Sequence, residues 1–542
     1  MKSSIIERYG FLIALALIVA SVLAIYSGIL NAPFIYDDED FILYNEAVKD
    51  LSNFWPPAGS RYIGFLSFAL NYAIGGFDVF GFHLVNVVIH IINSVLVYFL
   101  MRLTFRAGSM NNAGVDPLTA ELVSISSALL FAAHPIQTQA VTYVTQRFAS
   151  LATLFYLLSL VSYIRWRTAG GRAFYATSVI AALFAMKTKE ISFTLPFVVL
   201  FYELAFFGRE GFKARLARIA PLLATALIIP VSFLFFRGGG VRADIAEAQG
   251  ADFFGLSRYE YLLTQFRAVT HYIRLLFVPT GQTLLYDWPL SRSFFEPAVV
   301  LSFLFLLSVV SLALFVLYRS LKSRDGLALV ASAGVLWFFI TSSVESSFLP
   351  IKDLIFEHRV YLPSVGAFGA FSAGVFWILK RAGLNYRPLA AVVLATAIVL
   401  LGAAAWARNQ VWKSPLTLWQ DVVSKDPRSL EGRLNLGRIY FEAGQMGEGI
   451  EEFRKAVLYN PSDYLAHYNL GLSYHYMGLL DEALREYKAA LDLSPDLAMA
   501  HYGLGIIYKD KGMLPEARLE LEKALSLDPG LKDAAAQLRS LR

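Results

Sequence analysis

The chain has 542 residues and a formal net charge of +5; 56% of its residues are hydrophobic and 16% are charged. Soluble proteins carry about a quarter charged residues, so this composition excludes an ordinary soluble enzyme. The positive charge fits membrane edges better than a nucleic-acid surface. The absence of cysteine excludes disulfides, thiolate metal sites and a cysteine nucleophile. Residues 1–406 are mostly apolar and residues 425–542 are not, which predicts an all-α chain with a membrane domain followed by a soluble domain.

Apolar stretches in the first 406 residues are long enough, or nearly long enough, to cross a bilayer as helices. Eleven of them lie at about 10–30, 83–105, 119–134, 147–165, 172–187, 191–207, 217–236, 296–318, 327–343, 361–380 and 388–405. No small-residue cleavage site follows the first, which is typical of a retained signal anchor. The pattern predicts a polytopic helix bundle over 1–406, with a first external loop at about 31–82 and a large one at about 237–295.

Arginine and lysine concentrate in alternate connections between these stretches. The connections concerned lie at about 102–106, 165–172, 209–218, 319–324 and 380–387. The positive-inside rule assigns them to the cytoplasm, so the N-terminus lies inside and, after an odd number of spans, the C-terminal domain lies outside. Since the chain has no Asn-x-Ser/Thr acceptor site, we expect a protein of a bacterial inner membrane with a periplasmic C-terminal domain.

One further stretch, at about 258–279, is nearly apolar enough to span. It carries Arg258, Arg267, His271 and Arg274, which would be costly in lipid. The last three recur at helical spacing, so we interpret the stretch as an amphipathic helix in the large external loop. Its basic face either anchors the helix at the membrane interface or, through Arg274, binds a lipid phosphate.

A period of 34 residues runs through the C-terminal domain. It relates Pro427, Pro461, Pro495 and Pro529; Gly437, Gly471 and Gly505; Tyr440, Tyr474 and Tyr508; and Ala456, Ala490 and Ala524. This period is the signature of tetratricopeptide repeats, in which small residues let paired helices approach closely and prolines end each second helix. We predict a junction and half-repeat helix at 407–429, three repeats at 430–531 and a capping helix at 532–542 of an α-solenoid.

Repeat arrays of this kind present an inner groove lined by the first helix of each repeat. The predicted lining is Leu434, Asn435, Tyr468, Asn469 and Tyr502. The two asparagines resemble the ladder with which some repeat proteins hold an extended peptide backbone, and a glycine takes that position in the third repeat. The array either binds a protein or peptide in this groove or serves only as a structural element.

Polar side chains gather where the predicted spans meet the external face. Asp37 and Asp38 open a run of four acids directly outside the first span, where an Asp can take a proton from a hydroxyl or hold a divalent cation. The positive-inside rule makes arginine and lysine uncommon on the external face, and phosphate is an anion that both side chains bind well. The candidates are Arg61, His83, His134, Arg147, Lys189, Glu190, His358 and Arg359. Together they indicate a site for a phosphorylated lipid.

Motifs in a fixed order carry a family likeness over nearly the whole chain. They start at Ile35 (IYDD), Phe65 (FLSFALNYAIGG), Phe80 (FGFHLVN), Phe131 (FAAHPIQTQAVTY), Lys189 (KE), Arg359 (RVYLPSVG) and Arg408 (RNQVW). With the repeats, they resemble the transmembrane and tetratricopeptide-repeat protein O-mannosyltransferases and their bacterial relatives. The resemblance implies the GT-C fold, a helical membrane glycosyltransferase that takes sugar from a polyprenyl-phosphate donor outside the cytoplasm.

The resemblance also implies roles for individual residues. Asp37 and Asp38 match the expected catalytic pair. The candidates for binding the donor phosphate are Arg359, Lys189, Arg147, His358 and Arg274. The candidates for the acceptor and sugar site are Glu190, His83, His134 and Arg61. The family often has a proline after that arginine and a second histidine at Gln137, so these departures leave the sugar and the acceptor open.

We therefore expect a membrane enzyme that moves a sugar from a polyprenyl-phosphate donor to a hydroxyl of an extracytoplasmic acceptor, namely a Ser or Thr of a protein bound by the repeats. An Asp base that attacks opposite the leaving phosphate would invert the anomeric carbon. No strong acid is needed once Arg359 and its neighbours match the charge of the leaving phosphate, and the sequence leaves open whether a divalent cation takes part. The alternatives are a lipid or polysaccharide acceptor, and a non-enzymatic membrane scaffold that carries repeats.

Overall fold

The computed structural model describes residues 5–110, 113–208, 211–235, 257–347, 350, 351 and 353–541. In these ranges the regular secondary structure consists of helices, without a strand, which confirms the predicted all-α class. Part of the predicted large external loop (237–256), the connection residues 209 and 210, and the last residue of the predicted capping helix lie outside the described residues. The chain forms two compact units, one of Met1–Gln282 with Trp288–Lys413 and one of Thr283–Asp287 with Ser414–Arg542.

The first unit is a bundle of apolar helices. They are α1 (Ile5–Tyr26), α2 (Tyr62–Gly75), α3 (Val79–Thr104), α4 (Pro117–Ala133), α5 (Thr138–Thr142), α6 (Arg147–Ala169), α7 (Arg172–Met186), α8 (Leu195–Phe206), α9 (Phe212–Thr225), α10 (Ile228–Phe235), α11 (Arg258–Phe277), α12 (Pro297–Ser323), α13 (Gly326–Ser342), α14 (Tyr361–Arg381) and α15 (Tyr386–Val411). Helix α11 confirms that the basic stretch is helical, and a capping box of Ser257 and Glu260 starts it.

Seven helices of the described part are long and apolar enough to cross a membrane, and a bent pair raises the number to eight. The predicted count of eleven spans is therefore not confirmed. The difference arises at α7, α8 and α13, which have 15, 12 and 17 residues. Polar breaks shorten them: α7 ends before Lys187, and the chain makes a tight turn through Lys189 before α8 begins.

The bent pair is α4 and α5, whose axes differ by 52°. Proline has no N–H to donate, and Pro135 is the second residue after the end of α4, so the helix stops and restarts after a 3-10 turn at Pro135–Gln137. A second 3-10 turn at Val144–Gln146 leads into α6. This interrupted stretch brings Tyr143 and Thr145 to the segment that follows α1.

Helices α13 and α14 pack closely against each other. Gly334 of α13 and Gly366 of α14 face each other, and a Cβ on either would collide with the backbone of the other. Small residues permit such close approach between helices in a membrane. The contact holds α13 and α14 together, and Glu345 and Arg359 lie in the segments that follow α13 and precede α14.

The second unit consists of helical hairpins. Its helices are α16 (Pro415–Lys425), α17 (Leu430–Glu442), α18 (Met446–Tyr459), α19 (Tyr464–Tyr476), α20 (Leu480–Leu493), α21 (Ala498–Asp510), α22 (Leu514–Leu527) and α23 (Lys532–Ser540). The periodic glycines lie under large side chains of the paired helix: a Cβ on Gly437 would lie 2.6 Å from the ring of Phe453. The 34-residue period therefore reflects close packing within each hairpin.

Charged side chains tie each hairpin to the turn before it. His467 hydrogen-bonds through Nδ1 to Glu486 at 2.7 Å and through Nε2 to the carbonyl of Pro461 at 3.1 Å. His501 makes the same two bonds one period later, to Glu520 and Pro495. Arg433 occupies the equivalent position in the first repeat, where it bonds to Glu452 and Pro427. This clamp recurs at each repeat and was not predicted from the sequence.

Candidate functional site

The acidic run follows a sharp turn after α1. A short 3-10 helix, Ser27–Ile29, ends the first helix, and Tyr36 adopts a left-handed backbone conformation with φ of 58°. A bulky residue holds this conformation only where the surrounding structure enforces it. The turn orients the two carboxylates that follow in different directions. Asp38 points into the protein and is 2% exposed, whereas Asp37 is only half-buried.

Asp38 is held entirely by protein donors. Its Oδ1 accepts hydrogen bonds from the backbone N–H of Thr145 at 2.7 Å and from the Thr145 hydroxyl. Its Oδ2 accepts from the backbone N–H of Ile35 at 3.1 Å. Burial raises the pKa of Asp38 to about 7, and these three donors act in the opposite direction. Since both oxygens are occupied, Asp38 acts as a fixed anchor of the loop.

Asp37 has a different environment. Its backbone N–H donates to the hydroxyl of Tyr143 at 3.0 Å, and its carboxylate lies close enough to that hydroxyl to interact with it. Because the side chain remains partly accessible, one carboxylate of the predicted pair can meet an external group. The two acids were equivalent in the sequence, and the structure distinguishes them.

A second group of predicted residues forms a largely buried cluster of charges, in which Arg61 and Glu190 remain partly exposed. Arg61 binds Glu190 through Nε at 3.1 Å and Nη2 at 3.0 Å, which is the bidentate geometry of a strong ion pair. Lys189 Nζ lies 2.8 Å from Oε1 of Glu345, and both side chains are less than a tenth exposed. Burial lowers the pKa of Lys189 and Glu345 opposes this effect. Burial also acts to raise the pKa of Glu190, but Arg61 lowers it overall.

Arg359 and His358 complete this cluster. The Arg359 guanidinium donates to the backbone carbonyl of Asp353 at 2.7 Å and lies close enough to Lys189 and Glu345 to interact with both charges. His358 hydrogen-bonds to Gln139. Three cations from distant parts of the chain thus share one buried region with two carboxylates. Oε2 of Glu345 has no hydrogen-bond partner among the described residues, so its carboxylate is incompletely satisfied there.

One apolar core supports both groups. It contains Phe65, Phe68, Phe82, Val144 and Phe148 among its buried residues. Val144 lies between the two residues that hold the acidic loop, and the Arg61 guanidinium lies 5.5 Å from the ring centre of Phe148. The carboxylate loop and the charge cluster are therefore built on the same packed aromatic core, which limits their relative movement.

Arg147, a predicted phosphate ligand, has a structural environment instead. Its Nε donates to Asn86 at 2.7 Å, its Nη1 to Asn71 at 2.6 Å and to the carbonyl of Ser67 at 3.2 Å, and its Nη2 to the carbonyl of Phe82 at 2.8 Å. All three nitrogens are used and the side chain is fully buried. We therefore leave Arg147 out of the candidate phosphate site.

Three other predicted residues tie segments together and do not join the cluster. His83 Nε2 hydrogen-bonds to the carbonyl of Ala32 at 3.0 Å, His134 Nε2 to that of Leu276 at 3.1 Å and Arg274 Nη2 to that of Thr280 at 3.0 Å. His134 Nδ1 also caps the turn that follows α4. Within the described ranges, no group of three or more His, Asp or Glu side chains is arranged to hold a metal ion.

The predicted groove residues of the repeats lie on α17, α19 and α21. Leu434 and Tyr468 pack partly against the core of the array. Asn435 and Asn469 each donate to the carbonyl four residues earlier, at 2.9 Å, and Tyr502 is half-buried. A Cβ on Gly503 would lie 2.6 Å from the ring of Tyr487, which explains why an asparagine does not fit at that position.

Sequence reasoning missed three residues of the site. Tyr143 and Thr145 belong to or follow a quoted motif but were given no role. Glu345 is a single acid at the end of the apolar stretch that forms α13. An isolated carboxylate in such a position usually has a partner, and this signal could have identified it.

Comparisons with known proteins confirm the family resemblance. A protein O-mannosyl-transferase of Caenorhabditis elegans is 23% identical over 457 residues, covering 81% of this chain and 61% of that protein. The protein O-mannosyl-transferase TMTC2 of Homo sapiens is 25% identical over 536 residues, covering 82% and 62%. Tmtc3 of Drosophila melanogaster, which has the same description, is 24% identical over 463 residues, covering 75% and 49%. The chain thus spans about half to three fifths of these relatives.

The repeat prediction is confirmed as well. The family described as TPR repeat matches residues 437–478 and 473–512, and the family described as Tetratricopeptide repeat matches residues 498–531. Among solved structures, the crystal structure of MamA is 27% identical, with a TM-score of 0.22, over 23% of this chain and 74% of that one. The apolar helices, the similarity to the protein O-mannosyl-transferases and the matched repeat families make the chain an integral membrane protein with tetratricopeptide repeats.

Proposed function

We propose that this chain is a membrane glycosyltransferase of the GT-C type that transfers a sugar from a polyprenyl-phosphate donor to a Ser or Thr hydroxyl of a protein. The observation that carries the proposal is the convergence of Lys189, Arg359 and Arg61 in one buried cluster that shares an apolar core with the accessible carboxylate of Asp37. The names of the relatives support the sugar class and the protein acceptor. Mannose is the first sugar to test.

The phosphate of the donor would bind to Lys189 and Arg359. Buried cations stabilise the negative charge that develops on a leaving phosphate more effectively than cations in water do. The carboxylate of Glu345 holds Lys189, and a phosphate oxygen can take the same position. A phosphate with matched charge leaves readily, so no strong general acid is needed on that side.

Asp37 would act as the general base. Its carboxylate removes the proton of the acceptor hydroxyl while the acceptor oxygen bonds to the anomeric carbon. The bond from that carbon to the phosphate oxygen breaks, and its electron pair stays with the phosphate. Attack from the face opposite the phosphate inverts the anomeric configuration. Asp38 keeps the loop in place during this step, because its oxygens are bound to Thr145 and Ile35.

The isoprenoid chain of the donor needs an apolar surface next to the phosphate. An apolar groove with a volume of about 620 Å³ lies between α8, α12 and α13. One of its lining residues, Ser343, lies two residues before Glu345 in the chain, so an apolar surface adjoins the charge cluster there. This continuity supports a donor that combines a long apolar chain with an anionic head.

The acceptor would be a protein that the repeats bind in the groove lined by α17, α19 and α21. Together with the charge bias of the connections, the proposal sets the N-terminus in the cytoplasm and the repeats in the periplasm of a bacterial cell. Cysteine accessibility labelling of the cysteine-free chain tests this topology. A cysteine introduced into the repeats should react with an impermeant maleimide in intact spheroplasts, and a cysteine introduced in place of Lys322 should not.

The activity test uses the purified full chain in lipid nanodiscs with radiolabelled polyprenyl-phosphate mannose and Ser/Thr-rich acceptor proteins. We expect radiolabel on the protein, and alkaline β-elimination should release it, as it does for a sugar linked to a Ser or Thr oxygen. Transfer to lipid or polysaccharide would overturn the protein acceptor. Neither transfer nor donor hydrolysis with any of several sugar donors would favour a non-enzymatic scaffold and contradict the proposal.

A further inference from the structure

Two buried oxygen atoms of the charge cluster and its surroundings have no hydrogen-bond donor among the described residues. They are Oε2 of Glu345 and Oε1 of Gln265. The side chain of Glu345 is 9% exposed, and Gln265 is 1% exposed. A buried acceptor without a donor costs free energy, so such a group in a folded protein calls for an explanation. A carboxylate oxygen and an amide oxygen can only accept, so a ligand that completes them must donate.

Helix α11 brings both acceptors to the cations. Tyr261 donates its hydroxyl to the backbone carbonyl of Glu345 at 2.8 Å, and Gln265 lies one helical turn further along. Gln265 Nε2 donates at 2.9 Å to the carbonyl of Leu354, which also accepts from Arg359 Nη1 at 3.4 Å. Because only Nε2 can donate to that carbonyl, the orientation of the amide is set. One face of α11 thus places an acceptor next to Arg359 and contacts the segment that carries the other.

A phosphate that binds Lys189 must displace Glu345. Lys189 Nζ lies 2.8 Å from Oε1 of Glu345, and a phosphate oxygen would take the place of Oε1. The displaced carboxylate would then be a buried charge without a partner, which is costly. The oxygens of an ionised phosphodiester only accept and cannot compensate it. Sugar hydroxyls can donate to a carboxylate, and in a sugar-phosphate donor they are linked to the phosphate that displaces it.

We infer that Glu345 and Gln265 form a subsite for the hydroxyl groups of the donor sugar; this inference rests on the proposed glycosyl transfer. Lys189 and Arg359 bind the phosphate, while the two acceptors receive O–H groups of the sugar. The subsite selects a phosphodiester that carries a sugar, because only that ligand compensates the displaced carboxylate. After transfer the lipid phosphate has lost its sugar, so Glu345 pairs with Lys189 again and favours release of the product.

The test measures donor binding in the absence of an acceptor, so it does not depend on turnover. The purified full chain in lipid nanodiscs is titrated with two probes of equal charge. These are polyprenyl-phosphate mannose and polyprenyl methyl phosphate, a phosphodiester without a sugar. We expect the wild type to bind the mannosyl probe about 10- to 100-fold more tightly, which is the range for hydrogen bonds to a charged group.

Two variants and a control locate this preference. Glu345→Gln should bind the methyl diester more tightly than the wild type does and should lose at least about 10-fold of the preference. Gln265→Met should lose about 3- to 10-fold, as expected for a neutral hydrogen bond. The matched control is Glu203→Gln, since Glu203 is a fully buried carboxylate that accepts from Tyr163 at 2.8 Å and from Arg218 at 3.1 Å. The control should keep the preference of the wild type.

The outcomes separate this inference from the proposed function. A wild-type chain that binds neither probe contradicts the proposed function itself. Equal binding of both probes by the wild type overturns the subsite. An unchanged preference in Glu345→Gln and Gln265→Met overturns it too, as does an equal loss in Glu203→Gln.

A second measurement needs no variant and keeps the inference testable if the variants fail to fold. The wild type is titrated with a series of monodeoxy mannosyl donors. Removal of at least one hydroxyl should weaken binding by about 10-fold, and uniform affinity across the series contradicts the subsite.

Discussion

The two units of this chain use charged side chains in opposite ways. In the repeat unit, pairs such as His467 with Glu486 join residues 19 positions apart and stay partly exposed. In the membrane unit, Arg61 and Glu190 are 129 positions apart, and Lys189 with Glu345 is buried. The first kind of pair recurs along the array, and each pair contributes a small amount of stability. The second kind of pair joins distant segments and gathers several helices around one site, so damage to it should be far more severe.

The largest expected effect follows from breaking the buried pair. Lys189→Met removes the ion-pair partner of Glu345, and breaking a buried pair in this way typically costs about 3–5 kcal/mol. The double variant Lys189→Met with Glu345→Met replaces both charges by apolar groups and should recover most of that stability. Donor binding should stay lost, because the cation is missing. Thermal unfolding and binding of a polyprenyl phosphate, measured on the same preparations, separate the two effects.

Recovery of donor binding in the double variant would contradict the role of Lys189. Failure of the double variant to regain stability would show that the pair is needed for the fold itself. Either result would change the contrast between the two units, since the buried charges would then serve packing rather than binding.

The second effect concerns pH. The pKa of Asp38 is about 7 in the folded chain and about 3.9 in an unfolded one. The folded state therefore binds the proton more tightly, and the contribution of Asp38 to stability falls as pH rises from about 4 to about 7. Relative to Asp38→Asn, which does not titrate, the wild type should lose at most about 1.4 kcal/mol per pH unit in this window. Parallel melting curves from pH 4 to 8 measure it.

A constant difference between the two melting temperatures across that window would contradict this account of Asp38. A difference that grows in the opposite direction, with the wild type gaining on the variant as pH rises, would show that the donors from Thr145 and Ile35 outweigh burial.

The third effect tests close packing in the repeats. Gly437→Ala places a Cβ 2.6 Å from the ring of Phe453, and overpacking of this kind costs about 1–3 kcal/mol. Gly447→Ala is the matched control, since no atom lies within 4 Å of its Cβ position and alanine favours a helix by up to about 1 kcal/mol. Hydrogen exchange of α17 and α18 in the full chain should rise in the first variant and fall or stay unchanged in the second.

The smallest effect comes from a repeat clamp. Glu486→Gln weakens the bond to His467, and because the pair is partly exposed we expect a loss below about 1 kcal/mol. Local hydrogen exchange of α19 and α20 measures it. A loss as large as that of Lys189→Met would remove the distinction between distributed and concentrated charge pairs.

The sequence predicted the repeats well because their packing is local. Gly437 and Phe453 belong to one hairpin, and the 34-residue period of the small residues reflects such contacts. It predicted the helical class of the membrane unit for the same reason, since apolar length is a local property. The number of spans was harder to predict, because a short apolar helix such as α8, with 12 residues, resembles a membrane span in composition but not in length.

The candidate site was predictable only in part. Lys189 and Arg359 were identified by residue type and by the family resemblance, but their proximity depends on how the turn before α8 and the segment before α14 come together in the folded bundle. Arg147 has the same residue type and the same resemblance, yet its guanidinium is used by the scaffold. Only three-dimensional contacts separate these cases, as they separate Asp37 from Asp38.

That last distinction gives the most direct test of the account. We would measure transfer of radiolabelled mannose from its polyprenyl phosphate to protein by the purified full chain and by Asp37→Asn and Asp38→Asn, each checked for folding. We expect Asp37→Asn to lower kcat by about 100- to 10,000-fold with normal stability, whereas Asp38→Asn should mainly change stability and its pH dependence. Full transfer by folded Asp37→Asn would contradict the account.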